Sequence, residues 1–93
     1  MLTVDLRSRT LATWDDLWGA LMEPCGLPTW FGRNLHAWWD TIQTGAISEV
    51  LDEHSSLVVV VGPRGLFGPG NPDGAAFVEV TDRSDYAAVE IHD

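Results

Sequence analysis

The sequence is poor in positive charge. Only five of its 93 residues are lysine or arginine, against fourteen aspartates and glutamates, so the formal net charge is −9 at pH 7. Such an acidic balance argues against direct binding to the phosphate backbone of a nucleic acid. It favours a basic protein partner, whose approach would be steered electrostatically. The alternative is that the acidic surplus only keeps the protein soluble.

Cysteine is scarce too, and long apolar stretches are missing. Cys25 stands alone, so no disulfide can form within the chain, and we expect a half-buried small residue there. The opening residues, Met-Leu-Thr-Val-Asp, lack the basic and apolar regions of a signal peptide. No apolar stretch approaches the roughly 20 residues that span a membrane. The sequence therefore predicts a cytoplasmic protein with no membrane contact, and its length predicts one domain over residues 1–93.

Constellations that carry catalysis or bind metals are also lacking. His36 and Asp40 are spaced i, i+4 and could form an acid–base pair. A hydrolase would also need a nucleophile or a metal, and a pocket that excludes water, which no nearby residue supplies. His54 and His92 are isolated, whereas a metal site needs three or four ligands. We therefore predict no enzyme, no cofactor and no bound metal.

What the chain does contain is a segment dense in aromatic residues, from Leu27 to Thr44. Pro28 and Gly32 bracket two adjacent aromatic residues, a pattern typical of a rigid exposed turn. Asn34 is a suitable helix N-cap, and the helix it begins should run to about Thr44. Its apolar stripe recurs at i, i+3, i+4 and i+7 and consists of Leu35, Trp38, Trp39 and Ile42.

The opposite face of this helix is the candidate site. At roughly 100° per residue, the side away from the stripe carries Arg33, His36, Asp40 and Thr44. The turn aromatics Trp30 and Phe31 lead into that face, and Trp39 borders it. An acid beside large aromatics on a rigid helix is typical of a protein-binding hot spot. The alternative is that every aromatic belongs to the core and that Asp40 is merely solvated.

The segment resembles the barstar family, the small intracellular inhibitors of microbial ribonucleases. Four parts of its motif are present in order, namely Leu27-Pro28, Trp30-Phe31-Gly32, Asn34-Leu35 and Trp39-Asp40. The resemblance is dense over about fourteen residues and thin elsewhere. Where the family usually has a second acid, four residues before Asp40, this chain has His36, and Arg33 also stands where an acid is common. These departures bear on which enzyme is the target.

The resemblance implies an inhibitor of a guanyl-specific ribonuclease. Asp40 would enter the phosphate site of a basic, secreted-type enzyme in a 1:1 complex and pair with its arginines and catalytic histidine. The implied partner-binding residues are Trp30, Phe31, Asn34, His36, Trp39, Asp40 and Thr44. The alternative function is an immunity or binding module for another basic toxin or protein. Asp82 and Asp85 could add a second acidic patch beside the central helix, although a solvated turn explains them equally well.

The remaining segments predict an α/β fold, a small parallel sheet of about three strands packed with helices, barstar-like. Strands are expected at residues 2–6, 57–61 and 88–92, with Val89 and Ile91 facing inward. The apolar run at 57–61 indicates a strand buried on both faces in the middle of the sheet. Helices are expected at 14–22 and 46–53.

A glycine- and proline-rich stretch at residues 62–74 predicts a loop. It lacks the Gly-Lys-Ser/Thr of a phosphate-binding loop and has Arg64 as its only base, so nucleotide binding is not favoured. The segment after it fits a strand or a helix. Because the family ends in a helix followed by a strand, we expect a helix to about Ser84.

Overall fold

A three-stranded parallel sheet forms the centre of the structure, a computed structural model that describes residues 1–93. Its strands lie in the order β1 (Leu2–Asp5), β2 (Leu57–Val61) and β3 (Ala87–Ile91). The α-helices are α1 (Trp14–Met22), α2 (Leu35–Trp39), α3 (Glu49–Asp52) and α4 (Pro72–Arg83). This arrangement confirms the predicted α/β class with a small parallel sheet. None of the helices combines the length and apolar character that crossing a membrane requires.

The two faces of the sheet differ in burial. In one register row Val4 pairs with Val59 and Val59 with Val89, and this row faces the core. In the adjacent row Val58 is only half-buried, and its neighbours on β1 and β3 are exposed. β2 therefore lies in the middle of the sheet, as predicted. Its core face is buried, but its other face is only partly buried, whereas burial on both faces was predicted.

Ile91 corrects the prediction for the last strand. It pairs with Val61 and lies on the core-facing side of the sheet with Val89, yet 46% of it is exposed, so it is not buried as the alternation indicated. The reason is local, because β3 is an edge strand. The segment beside its end is Gly68-Pro69-Gly70, which has little side chain to cover an isoleucine.

Helix starts follow their capping residues. Thr13 and Asp16 form a reciprocal capping box at α1, in which each side chain accepts from the other residue's backbone N–H. Asn71 caps α4, whose first residue is Pro72. The helical interpretation of the segment before Ser84 is thus confirmed. The helix expected at 46–53 is shorter, a single turn of four residues capped by Ser48.

The glycine-rich loop contains more structure than predicted. Gly65–Phe67 forms a 3₁₀ turn, and α4 already begins at Pro72. The turn is fixed by the backbone N–H of Leu66, which donates to the carbonyl of Leu11 at 2.7 Å. Phe67 is buried in the core, where its ring meets that of Phe77 edge-on. A dense run of breakers therefore excluded a long element but not a short, anchored turn.

Aromatic side chains dominate the core. Trp18 lies at its centre, with ring centroids 5.6 Å from Phe31, 5.8 Å from Phe77 and 6.1 Å from Trp38. Cys25 is wholly buried rather than half-buried, and burial raises the pKa of its thiol to about 12. The thiol therefore stays protonated at neutral pH, which makes it a packing residue and not a nucleophile.

Candidate functional site

The turn before α2 separates two adjacent aromatic side chains. The backbone N–H of Phe31 donates to the carbonyl of Pro28 at 2.9 Å and closes the turn. Phe31 is only 5% exposed and packs edge-on against Trp18, whereas Trp30 is 70% exposed. The sequence placed both on the candidate face. In the structure Phe31 is a core residue that anchors the turn, and only Trp30 is presented to solvent.

Asn34 begins α2 as predicted. Its Oδ1 accepts from the backbone N–H of Ala37 at 2.8 Å, and its Nδ2 donates to the carbonyl of Gly32 at 3.0 Å. The exposed side chain thus joins the turn to the first turn of the helix. Asn34 therefore fixes the position of the turn relative to the residues that follow it.

Asp40 and His36 lie together on the exposed side of the helix. His36 Nε2 is 3.5 Å from Asp40 Oδ2, which is too long for a hydrogen bond and is an ion pair only when the ring is protonated. The Asp40 side chain is 45% exposed and that of His36 88%. Asp40 makes no ion pair with an arginine of its own chain. A carboxylate in this state is available to cations on another molecule.

The helix changes its geometry at Asp40. Residues Asp40–Thr44 form a π-helical turn, which ends at Gly45 with φ +81°. Within it Thr41 and Ile42 are buried, and Thr41 Oγ1 donates to the carbonyl of Ala37 at 2.8 Å. The α-helical projection that placed Thr44 in line with Asp40 does not hold through this wider turn. Thr44 is exposed, at the far end of the turn from Asp40.

Trp38 anchors the helix in the core, whereas Trp39 remains accessible at the surface. Trp38 is fully buried, stacks on Phe77 at 5.5 Å, and donates from Nε1 to Thr81 Oγ1 at 2.9 Å. Both of these partners lie on α4. Trp39 is half-buried at the surface beside Asp40. The predicted apolar stripe therefore combines a deep anchor with a residue that a partner can still contact.

Arg33 lies away from the face on which the sequence placed it. Its backbone is left-handed, with φ +52°, and its guanidinium reaches α1. There Nη2 pairs with Asp15 Oδ1 at 2.6 Å and donates to the Asp15 carbonyl at 3.1 Å. The charge of Arg33 is thus compensated within the chain, and it does not stand beside His36 and Asp40.

Helix α4 contributes residues that the sequence did not single out. A shallow depression of about 240 Å³ separates α2 from α4 and is lined by Leu35, His36, Trp39, Val80 and Arg83. Val80 and Arg83 are one turn apart on α4, a spacing visible in the sequence. The sequence does not show that these two residues face α2, however, because their orientation depends on how α2 and α4 pack.

The two acids expected near the helix separate in the structure. Asp82 Oδ1 accepts from the backbone N–H of Val89 at 2.9 Å, which ties it to β3. Asp85 borders a polar depression of about 520 Å³ that also includes Asp52 and the π-helical turn. No group of three or more histidine, cysteine or acidic side chains has an arrangement that could hold a metal ion.

The family model described as Barstar (barnase inhibitor) matches residues 1–86. The chain belongs to the barstar family. A comparison with curated proteins found no match.

The barstar match covers the whole candidate site. It includes the turn around Trp30, helix α2 with Asp40, and the part of α4 that carries Val80 and Arg83, and it stops just before β3. Barstar proteins are inhibitors rather than enzymes, and the ribonuclease-inhibitor class follows from membership. The site's chemistry is consistent with that class, since it presents one acid and two tryptophans on an anchored helix and turn.

Proposed function

We propose that this barstar-family chain inhibits a microbial guanyl-specific ribonuclease by occupying its active site in a 1:1 complex. The observation that carries the proposal is the state of Asp40, whose half-exposed carboxylate has the His36 ring at 3.5 Å and no ion pair with an arginine of its own chain. Such a carboxylate can take the place of an RNA phosphate and receive charge-assisted hydrogen bonds from active-site arginines. The basic, secreted type of ribonuclease supplies the opposite charge.

The aromatic side chains around Asp40 supply the apolar part of the contact. Trp30 is exposed on the turn, and Trp39 is half-buried beside the acid. Rings in such positions exclude water from a charge pair when a partner covers them. Asn34, His36 and Thr44 complete the proposed contact. Phe31 takes part indirectly, because its buried ring holds the turn that presents Trp30.

The site is already ordered before binding. Trp38 anchors α2 to α4, Asn34 caps the helix, and Phe31 holds the turn against α1. Association therefore leaves little backbone ordering to oppose it. We place the encounter in the cytoplasm of the cell that makes the enzyme, where an inhibitor protects that cell from its own ribonuclease.

The test is inhibition of barnase first, and then of other secreted guanyl-specific ribonucleases, by wild type and by Asp40→Asn. Removing one partner of a buried charge pair costs about 2–5 kcal/mol, a range to which barstar complexes themselves have contributed. We expect Asp40→Asn to lose inhibition by that amount while circular dichroism shows the fold unchanged.

Glu23→Gln is the matched control, since it also removes one negative charge from an exposed acid without an ion pair. It should inhibit like wild type. A loss below about tenfold, or 1.4 kcal/mol, for Asp40→Asn would rule out phosphate mimicry by this residue. Capture of a basic toxin of another class, with the same dependence on Asp40, would favour the immunity-module alternative.

A further inference from the structure

Three of the chain's five basic residues meet at the carboxyl-terminal edge of the sheet. Arg7 and Arg9 follow β1, and Arg64 follows β2. They line a cavity of about 200 Å³ whose other walls are apolar side chains, glycines and Thr10. Arginine is the only charged residue type in that lining. In a chain with a net charge of −9, this concentration of positive charge is a local exception.

The three arginines differ in their pairing, because only Arg7 is held in a strong ion pair. Asp5 binds Arg7 through Nε and Nη2, and this hydrogen bonding lowers the pKa of Asp5 to about 2. Arg9 forms no ion pair. Asp93 lies between the other two arginines, 3.4 Å from Arg7 Nη1 through its backbone oxygen and 3.3 Å from Arg64 Nη2 through its carboxylate. Both contacts are longer than the roughly 2.7–2.9 Å of a strong charge-assisted hydrogen bond, so Asp93 binds the two arginines weakly.

Two glycines shape the wall of this cavity. A Cβ at Gly62 would overlap the guanidinium of Arg64, so glycine lets the arginine fold back over the end of β2. Gly65 has φ +59°, and a Cβ there would meet the Leu11 carbonyl oxygen at 2.5 Å. Glycine thus allows the 3₁₀ turn to close against the segment after Arg9. Gly65 thus fixes one wall of the cavity through backbone contact, whereas Gly62 leaves room for the Arg64 side chain.

We infer that this cavity binds a small anion of the phosphate or diphosphate class. Guanidinium forks match the oxygens of a phosphate, because their N–H groups can donate to two oxygens at once. The volume lies below the range of about 300–1,000 Å³ typical of whole organic ligands, so it suits the phosphate group itself. In the sequence, phosphate binding was not favoured because the loop lacks Gly-Lys-Ser/Thr and has Arg64 as its only base. The motif is still missing, but the fold adds Arg7 and Arg9.

The long-range charge of the protein does not prevent this binding. Exposed charges are largely screened beyond about 8 Å at physiological ionic strength, whereas the three arginines act at contact distance. None of the cavity residues belongs to the proposed inhibitory site. The test of anion binding therefore does not depend on whether the protein is a ribonuclease inhibitor.

Isothermal titration of the full chain with sodium pyrophosphate tests the inference, with ADP as a second probe. Wild type should show saturable binding of one pyrophosphate. Arg64→Gln and Arg9→Gln should each weaken it about tenfold, the effect of losing one charge-assisted contact. Asp93→Asn should bind more tightly because a competing carboxylate is gone. Arg83→Gln, which removes the same charge on α4, should bind like wild type.

Circular dichroism establishes that each variant is folded before its affinity is compared. Absence of saturable binding by wild type would overturn the inference. So would an equal loss in Arg83→Gln and Arg64→Gln, because that pattern means general charge attraction. If ADP binds more tightly than pyrophosphate, the ligand is an organic phosphate that extends towards the adjoining apolar groove at Phe67 and Ile91. If it does not, the site serves the inorganic anion.

Discussion

Adjacent aromatic residues in this chain point to opposite sides of the molecule. In the turn, Phe31 enters the core and Trp30 is exposed; in the helix, Trp38 is buried and Trp39 borders the surface. In the helix, the rotation of about 100° between consecutive residues turns Trp38 inward and leaves Trp39 at the surface. Each pair thus supplies one residue that anchors the fold and one that a partner can contact. Substitution of the buried residue tests stability, and substitution of the surface residue tests binding.

We expect His36 to make inhibition depend on pH. It faces Asp40 on its own helix and Arg83 across the depression towards α4. A neutral imidazole can accept a hydrogen bond from an arginine of the enzyme, whereas an imidazolium repels it. We therefore expect affinity to rise with pH through the range in which histidines titrate, and His36→Gln to lose that part of the dependence.

The measurement is the inhibition constant of wild type and His36→Gln against one ribonuclease over that pH range. The enzyme's own histidine contributes equally to both series, so their difference isolates His36. Parallel curves would show that His36 stays solvated outside the contact.

Cys25 should make the fold sensitive to alkali. Burial raises the pKa of its thiol from 9.0 to about 12, so in this interval the unfolded chain loses a proton that the folded chain keeps. Stability is therefore unaffected by this group below about pH 9 and falls as the pH rises towards 12, by up to about 4 kcal/mol. Denaturant unfolding of wild type and Cys25→Ala at several alkaline pH values measures it. The variant should be less stable at neutral pH but decline less steeply, and equal slopes would contradict the assignment.

At the scale of secondary structure, the sequence predicted those features that depend on interactions between residues close together in the chain. The cap at Asn34 was predicted, and the capping residues at the starts of α1 and α4, Thr13 and Asn71, likewise act within one helical turn. The π-helical turn at Asp40–Thr44 was not predicted. The sequence contains no local signal that separates a single π-helical turn from an α-helical one, and the buried Thr41 and Ile42 are placed by contacts with the rest of the fold.

The other mispredictions also involve distant partners. Arg33 turns towards Asp15, eighteen positions earlier, and helical spacing contains no information about that ion pair. Ile91 follows the alternation of a strand but lies where an edge strand meets a segment with little side chain. Asp40 itself was found through the family motif, and spacing alone left open whether it was merely solvated.

The packing of α2 on α4 depends on one buried polar contact. Thr81 Oγ1 accepts from Trp38 Nε1 and donates to the carbonyl of Phe77 at 2.7 Å. Thr81→Val keeps the shape but leaves the indole N–H buried without an acceptor, which costs about 1–3 kcal/mol. Chemical denaturation should show this loss. Thr29→Val, at an exposed threonine with no side-chain hydrogen bond, should leave stability nearly unchanged, and an equal effect in both variants would mean that the indole bond contributes nothing.

At the scale of the whole molecule, the acidic surplus and the candidate site are distinct features. The net charge is −9, yet the group beside Asp40 is the histidine His36, and Arg33 and Arg83 are paired with Asp15 and Glu79. Most of the negative charge therefore lies outside the proposed contact. It can attract a basic enzyme from a distance but adds little to the bonds within the complex.

This separation predicts how salt affects the two rate constants of the complex. Salt screens long-range attraction, so the association rate constant should fall steeply as ionic strength rises, while the dissociation rate constant, set by short-range contacts, should change much less. Stopped-flow tryptophan fluorescence with the inhibited ribonuclease measures both. The Asp40→Asn substitution should have the opposite effect to added salt: the dissociation rate constant should rise, while the association rate constant should stay nearly normal. If association is independent of salt, the acidic surplus does not steer the encounter, and the negative charge serves only to keep the free protein in solution.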